Sequence, residues 1–183
     1  MENLSNNFLV PMSNLTGTVF NRSLIYLCNH NKSGALGFII NKPIAKKDLE
    51  NILTETGLEQ IKSKIEIYFG GPVEINSGMI LHDNKYHTKN TMNISKLISL
   101  SSSRRVINDI ISGNGPEEFK FILGYSGWGE NQLEEEITNG DWLVVPSDYD
   151  LIFKTPHNKI LDELISFIDI DLKTVNISPP GLS

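Results

Sequence analysis

Two apolar runs place the tightest limit on what this chain can fold into. They are Ser23-Leu24-Ile25-Tyr26-Leu27-Cys28 and Ala35-Leu36-Gly37-Phe38-Ile39-Ile40. Between them lies the polar stretch Asn29-His30-Asn31-Lys32-Ser33-Gly34, and the second run stops at Asn41-Lys42-Pro43. Both runs are short and rich in β-branched and aromatic residues, and the spacer carries a glycine, so the pattern predicts a β-hairpin. Gly37 inside the second run predicts a bulge or a close approach of backbones.

Strand-like segments recur at Phe8–Pro11, Ile65–Phe69, Ser77–His82, Phe119–Leu123 and Trp142–Pro146. Helical periodicity appears over Lys47–Gly57, where Leu49, Ile52 and Leu53 share a face. It returns in Val106, Ile107, Ile110 and Ile111, behind the candidate N-caps Ser101–Ser103. Gln132–Ile137 reads as a short helix, and about His157 to Phe167 as the last one. Asp83 to Asn93 reads as loop. No repeat of solenoid length and no linker divides the chain, which is read as one domain over 1–183. Strands cluster early and mix with helices later without a βαβ rhythm, which predicts an α+β fold.

The chain has 183 residues, enough to bury about 70% of its unfolded surface without a staple. Its single cysteine, Cys28, excludes an internal disulfide and any site needing two cysteines from one chain. The polar N-terminus has no basic and apolar signal pattern, and no apolar run reaches a membrane span, so the expectation is a cytoplasmic protein with no membrane partner. The net charge is −6, and only Arg22, Arg104 and Arg105 are arginines. Nucleic-acid affinity rests largely on Lys and Arg at phosphates, so direct nucleic-acid binding is disfavoured. Arg104 and Arg105 open a helix, but no second helix stands at helix-turn-helix spacing.

Gly124-Tyr125-Ser126-Gly127-Trp128-Gly129 lies between a strand and a helix, where phosphate loops lie, but its spacing fits neither a P-loop nor a dinucleotide fingerprint. The expectation is a tight turn whose glycines let Trp128 pack inward. Glu134 and Glu136, two apart on a helix, face different directions and are expected on a solvated acidic face. His30 and His82 each end a strand, and His82-Asp83 with His87 has a loose metal-site look, but no familiar ligand spacing accompanies it. No metal, cofactor or catalytic group is assigned. His30 is expected to hydrogen-bond within its own loop. Cys28 and His30, two apart on a strand, would share a face, but Cys28 lies in an apolar run and is expected to be an inert core residue.

Several segments taken together resemble the AlgH/YqgE family of bacterial proteins. They are Phe8-Leu-Val-Pro-Met12, Phe20-Asn-Arg-Ser-Leu-Ile-Tyr-Leu-Cys-Asn-His-Asn31, Gly34-Ala-Leu-Gly-Phe-Ile-Ile-Asn-Lys-Pro43, Tyr68-Phe-Gly-Gly-Pro-Val73, Gly78-Met-Ile-Leu-His82 and Gly124-Tyr-Ser-Gly-Trp-Gly-Glu-Asn-Gln-Leu-Glu-Glu-Glu136. The resemblance implies a bifurcated, mostly antiparallel sheet curled into a pseudo-barrel with flanking helices. It brings no established reaction; AlgH takes its name from regulation of alginate synthesis. The family's C-terminal Gly-His-Ala is here Pro179-Pro-Gly-Leu-Ser183.

The residues that match the family's motifs are Asn29, His30, Asn41, Gly70, Gly71, Pro72, His82, Trp128, Gln132 and Glu134. Core packing does not demand His30, Asn41 or Gln132, which makes a shared polar pocket or contact surface the expectation. The leading reading is a regulatory or partner-binding protein with no established reaction, for which a protein partner is the expectation. The alternative is a small-ligand sensor or enzyme using His30, Asn41 and Gln132.

Overall fold

The computed structural model describes residues 3–56, 65–102 and 104–175. Among them nine strands form one sheet: β1 (Asn7–Pro11), β2 (Ile25–Asn31), β3 (Gly34–Ile39), β4 (Ile67–Phe69), β5 (Val73–Asp83), β6 (Thr91–Asn93), β7 (Ile98–Ser101), β8 (Phe119–Trp128) and β9 (Trp142–Pro146). The spatial order is β6-β7-β5-β8-β3-β2-β1-β9, with β4 branching from β8. The helices are α1 (Lys46–Thr56), α2 (Arg104–Ile111), α3 (Gln132–Thr138), α4 (Tyr149–Phe153) and α5 (Ile160–Val175). All strand pairs are antiparallel except β4 with β8.

The apolar runs lack a polar alternation because helices cover both faces of the sheet. Phe8, Tyr26, Phe38 and Ile122 face one way, onto Leu151 and Ile152 of α4 and Ile160, Leu161 and Leu164 of α5. Their neighbours face the other way in two separate clusters. Phe121 and Leu123 meet Leu49 and Leu53 of α1 and Val106 and Ile107 of α2. Leu9, Ile25 and Leu27 meet Leu133 of α3 with Trp128 and Trp142. This is the expected α+β architecture, and its sheet forks.

The fork lies on β8. Its first half pairs with β4 through Phe121–Leu123, and its end pairs with β3 through Ser126–Trp128, along the same edge. Gly70 stitches the branch: its N–H donates to the Leu123 carbonyl, and its own carbonyl accepts from Ile39 N–H and the Ser126 hydroxyl. A Cβ on Gly70 would lie 2.3 Å from the Gly124 carbonyl oxygen, and one on Gly71, at φ 150°, the same distance from Tyr125. Only glycines allow three backbones to meet here.

Several expectations are corrected. The segment Gly124–Trp128 is not a turn: it is the second half of β8, and the turn follows only at Glu130 and Asn131. Trp128 does pack inward, because its strand position faces α3. Thr91–Asn93 and Ile98–Ser101 are strands, and Ser101 ends β7 rather than capping a helix. The close approach at Gly37 is real, since a Cβ there would meet Ile25 at 2.6 Å, but the bulge is on the partner strand at Cys28. Gly57, the expected stop of the first helix, and the Pro179-Pro-Gly segment lie outside the described residues.

Candidate functional site

The bulge decides where His30 goes. Leu27 pairs with Gly37 and Asn29 with Leu36, so Cys28 has no opposite residue. A bulge shifts the alternation of everything that follows it. Cys28 therefore stays with Tyr26 in the α4–α5 core, while His30, opposite Ala35, turns to the α3 side. Cys28 and His30 do not share a face, and burial pushes the Cys28 thiol well up. It is an inert core group.

On the α3 side a hydrogen-bonded cluster forms. The buried His30 ring accepts at Nδ1 from Leu4 N–H, 3.1 Å away, so its proton sits on Nε2. That Nε2–H donates to Glu134 Oε1 at 2.8 Å. The Glu134 carboxyl is held below the usual range, first by its own backbone N–H at the start of α3 and then by His30. Two residues on, Glu136 Oε2 accepts from both Trp128 Nε1 (2.8 Å) and Trp142 Nε1 (2.7 Å). Gln132 donates to Glu136 Oε1 at 2.9 Å and accepts from Gly129 N–H at 3.0 Å. The two indoles stack edge to face at 5.8 Å. So Glu134 and Glu136 do face different ways, as the spacing predicts, but neither lies on a free solvated face. His30 bonds across the fold, not within its loop.

The other motif residues lie elsewhere. Asn41 accepts from Leu24 N–H at 2.7 Å and donates to the Arg22 carbonyl at 3.0 Å, fastening the entry of β2 to the exit of β3. Gly70 and Gly71 form the fork. His82 is fully buried: Nδ1–H donates to the Asp83 carbonyl at 2.7 Å, and Nε2 accepts from the Ser101 hydroxyl at 2.9 Å. Ser101 in turn accepts from Thr91 at 2.8 Å. Burial holds His82 below the ordinary histidine range, and the nearby His87 acts in the same direction. His30 and His82 thus end in separate networks. Asn29 is exposed beside Asn31.

A second locus was not found from the sequence. Lys120 of β8 is in phase with Ile122, a core position, and only 6% exposed. Its Nζ sits 3.9 Å from the centre of the Tyr68 ring and makes no hydrogen bond to a described residue. Burial lowers its pKa to about 8, against a partial opposing pull from Glu66. It lines an open groove of about 420 Å³ with Glu66, Tyr68 and the α4–α5 connection Lys154–His157. Tyr68 donates its hydroxyl to Glu66, and His157 Nδ1 stands 3.4 Å from the same carboxylate. The available signal was the run Phe119-Lys120-Phe121-Ile122-Leu123, in which a lysine occupies the same face as a core isoleucine. A neighbouring groove of about 530 Å³, lined by Asp83, Lys85, Lys96, Glu117, Tyr149 and Lys154, carries both signs of charge.

Residues 8–173 match the AlgH-like family model, DUF179, and the chain belongs to that family. A UPF0301 protein of Marinomonas is 38% identical over 174 residues, covering 93% of this chain and 92% of its own. One from Shewanella loihica is also 38% identical, covering 94% and 95%. The solution structure of the AlgH protein from Pseudomonas aeruginosa superposes with a TM-score of 0.79 at 29% identity, over 98% of this chain and 96% of that one. A Corynebacterium diphtheriae protein, DIP2367, shares the fold with a TM-score of 0.63 at 17% identity. The family carries no established reaction, and no described helix is long and apolar enough to cross a membrane.

Proposed function

We propose that this is a cytoplasmic regulatory protein that acts by holding a protein partner, not by a reaction at the motif cluster. The observation that carries this reading is the saturation of the α3 cluster. Both ring nitrogens of His30, both ends of Gln132 and both oxygens of Glu136 are bonded within the protein. Acid–base or nucleophilic catalysis needs a lone pair or proton aimed at a substrate, and these groups aim at one another. What the cluster does is hold α3 rigid against the sheet. The outward side of that platform, with Glu130, Gln132 and Glu135 exposed, is a preorganised acidic contact surface. It suits a partner with a basic face, and any effect on transcription runs through such a partner, since duplex DNA would meet an acidic protein.

Native mass spectrometry of the protein purified from its own host tests this. A stoichiometric protein partner, lost on Glu130→Lys with Glu135→Lys, is the expected result. A small molecule retained by the wild type and lost in His30→Gln and Gln132→Ala would overturn it in favour of a ligand pocket at the motif residues. Gel-shift binding that survives physiological salt would overturn the indirect route.

A further inference from the structure

We propose that the groove between β4–β8 and the α4–α5 connection is a carbonyl-capture site, in which the Lys120 amine takes a small aldehyde or ketone as a reversible imine. This goes beyond partner binding and does not depend on it, since the groove and the α3 cluster lie on opposite faces of the sheet.

The geometry supplies three things that imine formation needs. The first is a buried amine with open space before it. Lys120 is 94% removed from solvent by Tyr68 and its strand neighbours, yet it lines a cavity large enough for a small organic molecule. The second is an amine not held by a carboxylate. An exposed lysine is protonated and strongly hydrated, whereas one desolvated against apolar surface gives up its proton and becomes nucleophilic. Here Nζ meets a ring face instead of an oxygen, and its pKa stands at about 8. The third is a chain of groups able to move protons. Tyr68, Glu66 and His157 are linked by a hydrogen bond and a 3.4 Å contact at the same rim. Lys154 faces the groove too, but its charge is committed to Asp150 at 2.9 Å.

The step balances without a further reactant. The Nζ lone pair adds to the carbonyl carbon, and the C=O π bond breaks onto oxygen. One amine proton passes to that oxygen, giving a carbinolamine. The second amine proton leaves with the C–O bond as water, and a C=N bond remains. The Tyr68–Glu66–His157 chain relays the protons. Hydrolysis is the exact reverse, which suits a sensor that releases its ligand.

The test uses the intact protein with acetaldehyde at limiting dose and cyanoborohydride, which fixes an imine as an ethylamine. Peptide mass mapping then gives the rate at each lysine. Lys120 is expected to react about tenfold faster than the exposed Lys32 and Lys159, the gain in free amine being partly offset by the weaker nucleophilicity of a less basic one. Unfolding in urea should abolish the preference. Tyr68→Phe keeps the ring over Nζ and removes the hydroxyl; it should slow Lys120 several-fold and leave Lys32 unchanged. Labelling of Lys120 no faster than Lys32 in the folded protein would overturn the proposal, and an unchanged rate in Tyr68→Phe would remove the relay from it. Neither result would touch partner binding at α3.

Discussion

The α3 cluster and the Lys120 groove are opposites in the same molecule. In the first, a buried histidine and two buried indoles each find a partner on the partly covered helix above them: His30 has Glu134, and Trp128, Trp142 and Gln132 converge on Glu136. In the second, a lysine is buried over an aromatic ring and makes no hydrogen bond to a described residue. A satisfied polar network fixes one arrangement of the chain, while an unsatisfied charge costs stability and is retained where something else uses it. Only four of the residues that match the family's motifs, His30, Trp128, Gln132 and Glu134, build this rigid part, and the reactive potential lies in a lysine that no motif singled out.

The largest effect expected from breaking this contrast is at Glu136. Glu136→Leu leaves two buried indole N–H groups without an acceptor, a loss of about 3 kcal/mol or more. Urea unfolding with tryptophan fluorescence would measure it, and a loss below about 1 kcal/mol would mean the network is not what holds α3. Lys120→Met should act in the opposite direction, raising stability by about 2–3 kcal/mol at pH 7 by removing the unpaired charge.

The pH dependence sharpens that second prediction. Folded Lys120 loses its proton at about pH 8 and the unfolded chain's lysine near 10.5. Between those values the unfolded state holds more protons, so wild-type stability rises with pH relative to Lys120→Met. The gap between the two proteins should close from pH 8 toward pH 10. A gap that stays constant would show that Lys120 is protonated normally.

His30→Leu should cost about 2 kcal/mol by orphaning Leu4 N–H and the Glu134 carboxylate. The effect of His82 is smaller and lies in acid. Its folded pKa is depressed, so the stability it allows is full above about pH 6.5 and falls as the unfolded chain takes up a proton below that. His82→Gln should flatten this part of the stability profile, as followed by thermal unfolding between pH 7 and pH 5.

Much of the frame was legible in the sequence. The hairpin of β2 and β3, β9 and the helical stripes of α1 and α2 all follow from local periodicity. The second half of β8 was hidden because its glycines read as a turn. They are there for the fork, where Gly70 and Gly71 of a distant segment press against Gly124 and Tyr125. Strand β7 was hidden because its two serines, Ser99 and Ser101, interrupt the apolar run and Ser101 reads as a helix cap. Both are buried, Ser101 on His82 and Ser99 on Asn84 and Asn93. The site residues were legible as types but not as partners, since no spacing rule links His30 to Glu134 across 104 positions.

The sequence by itself determined the α+β class, the covered sheet, the inert thiol and the family, because burial of apolar runs and the motif order are properties of the chain read locally. Only the tertiary structure decided which polar groups are satisfied and which are not. A one-residue bulge at Cys28 turned His30 away from that thiol and toward α3, and the register of β8 against β4 set Lys120 over the Tyr68 ring. Hydrogen bonding and charge pairing depend on distances of a few ångströms between distant segments, and the folded backbone alone sets those.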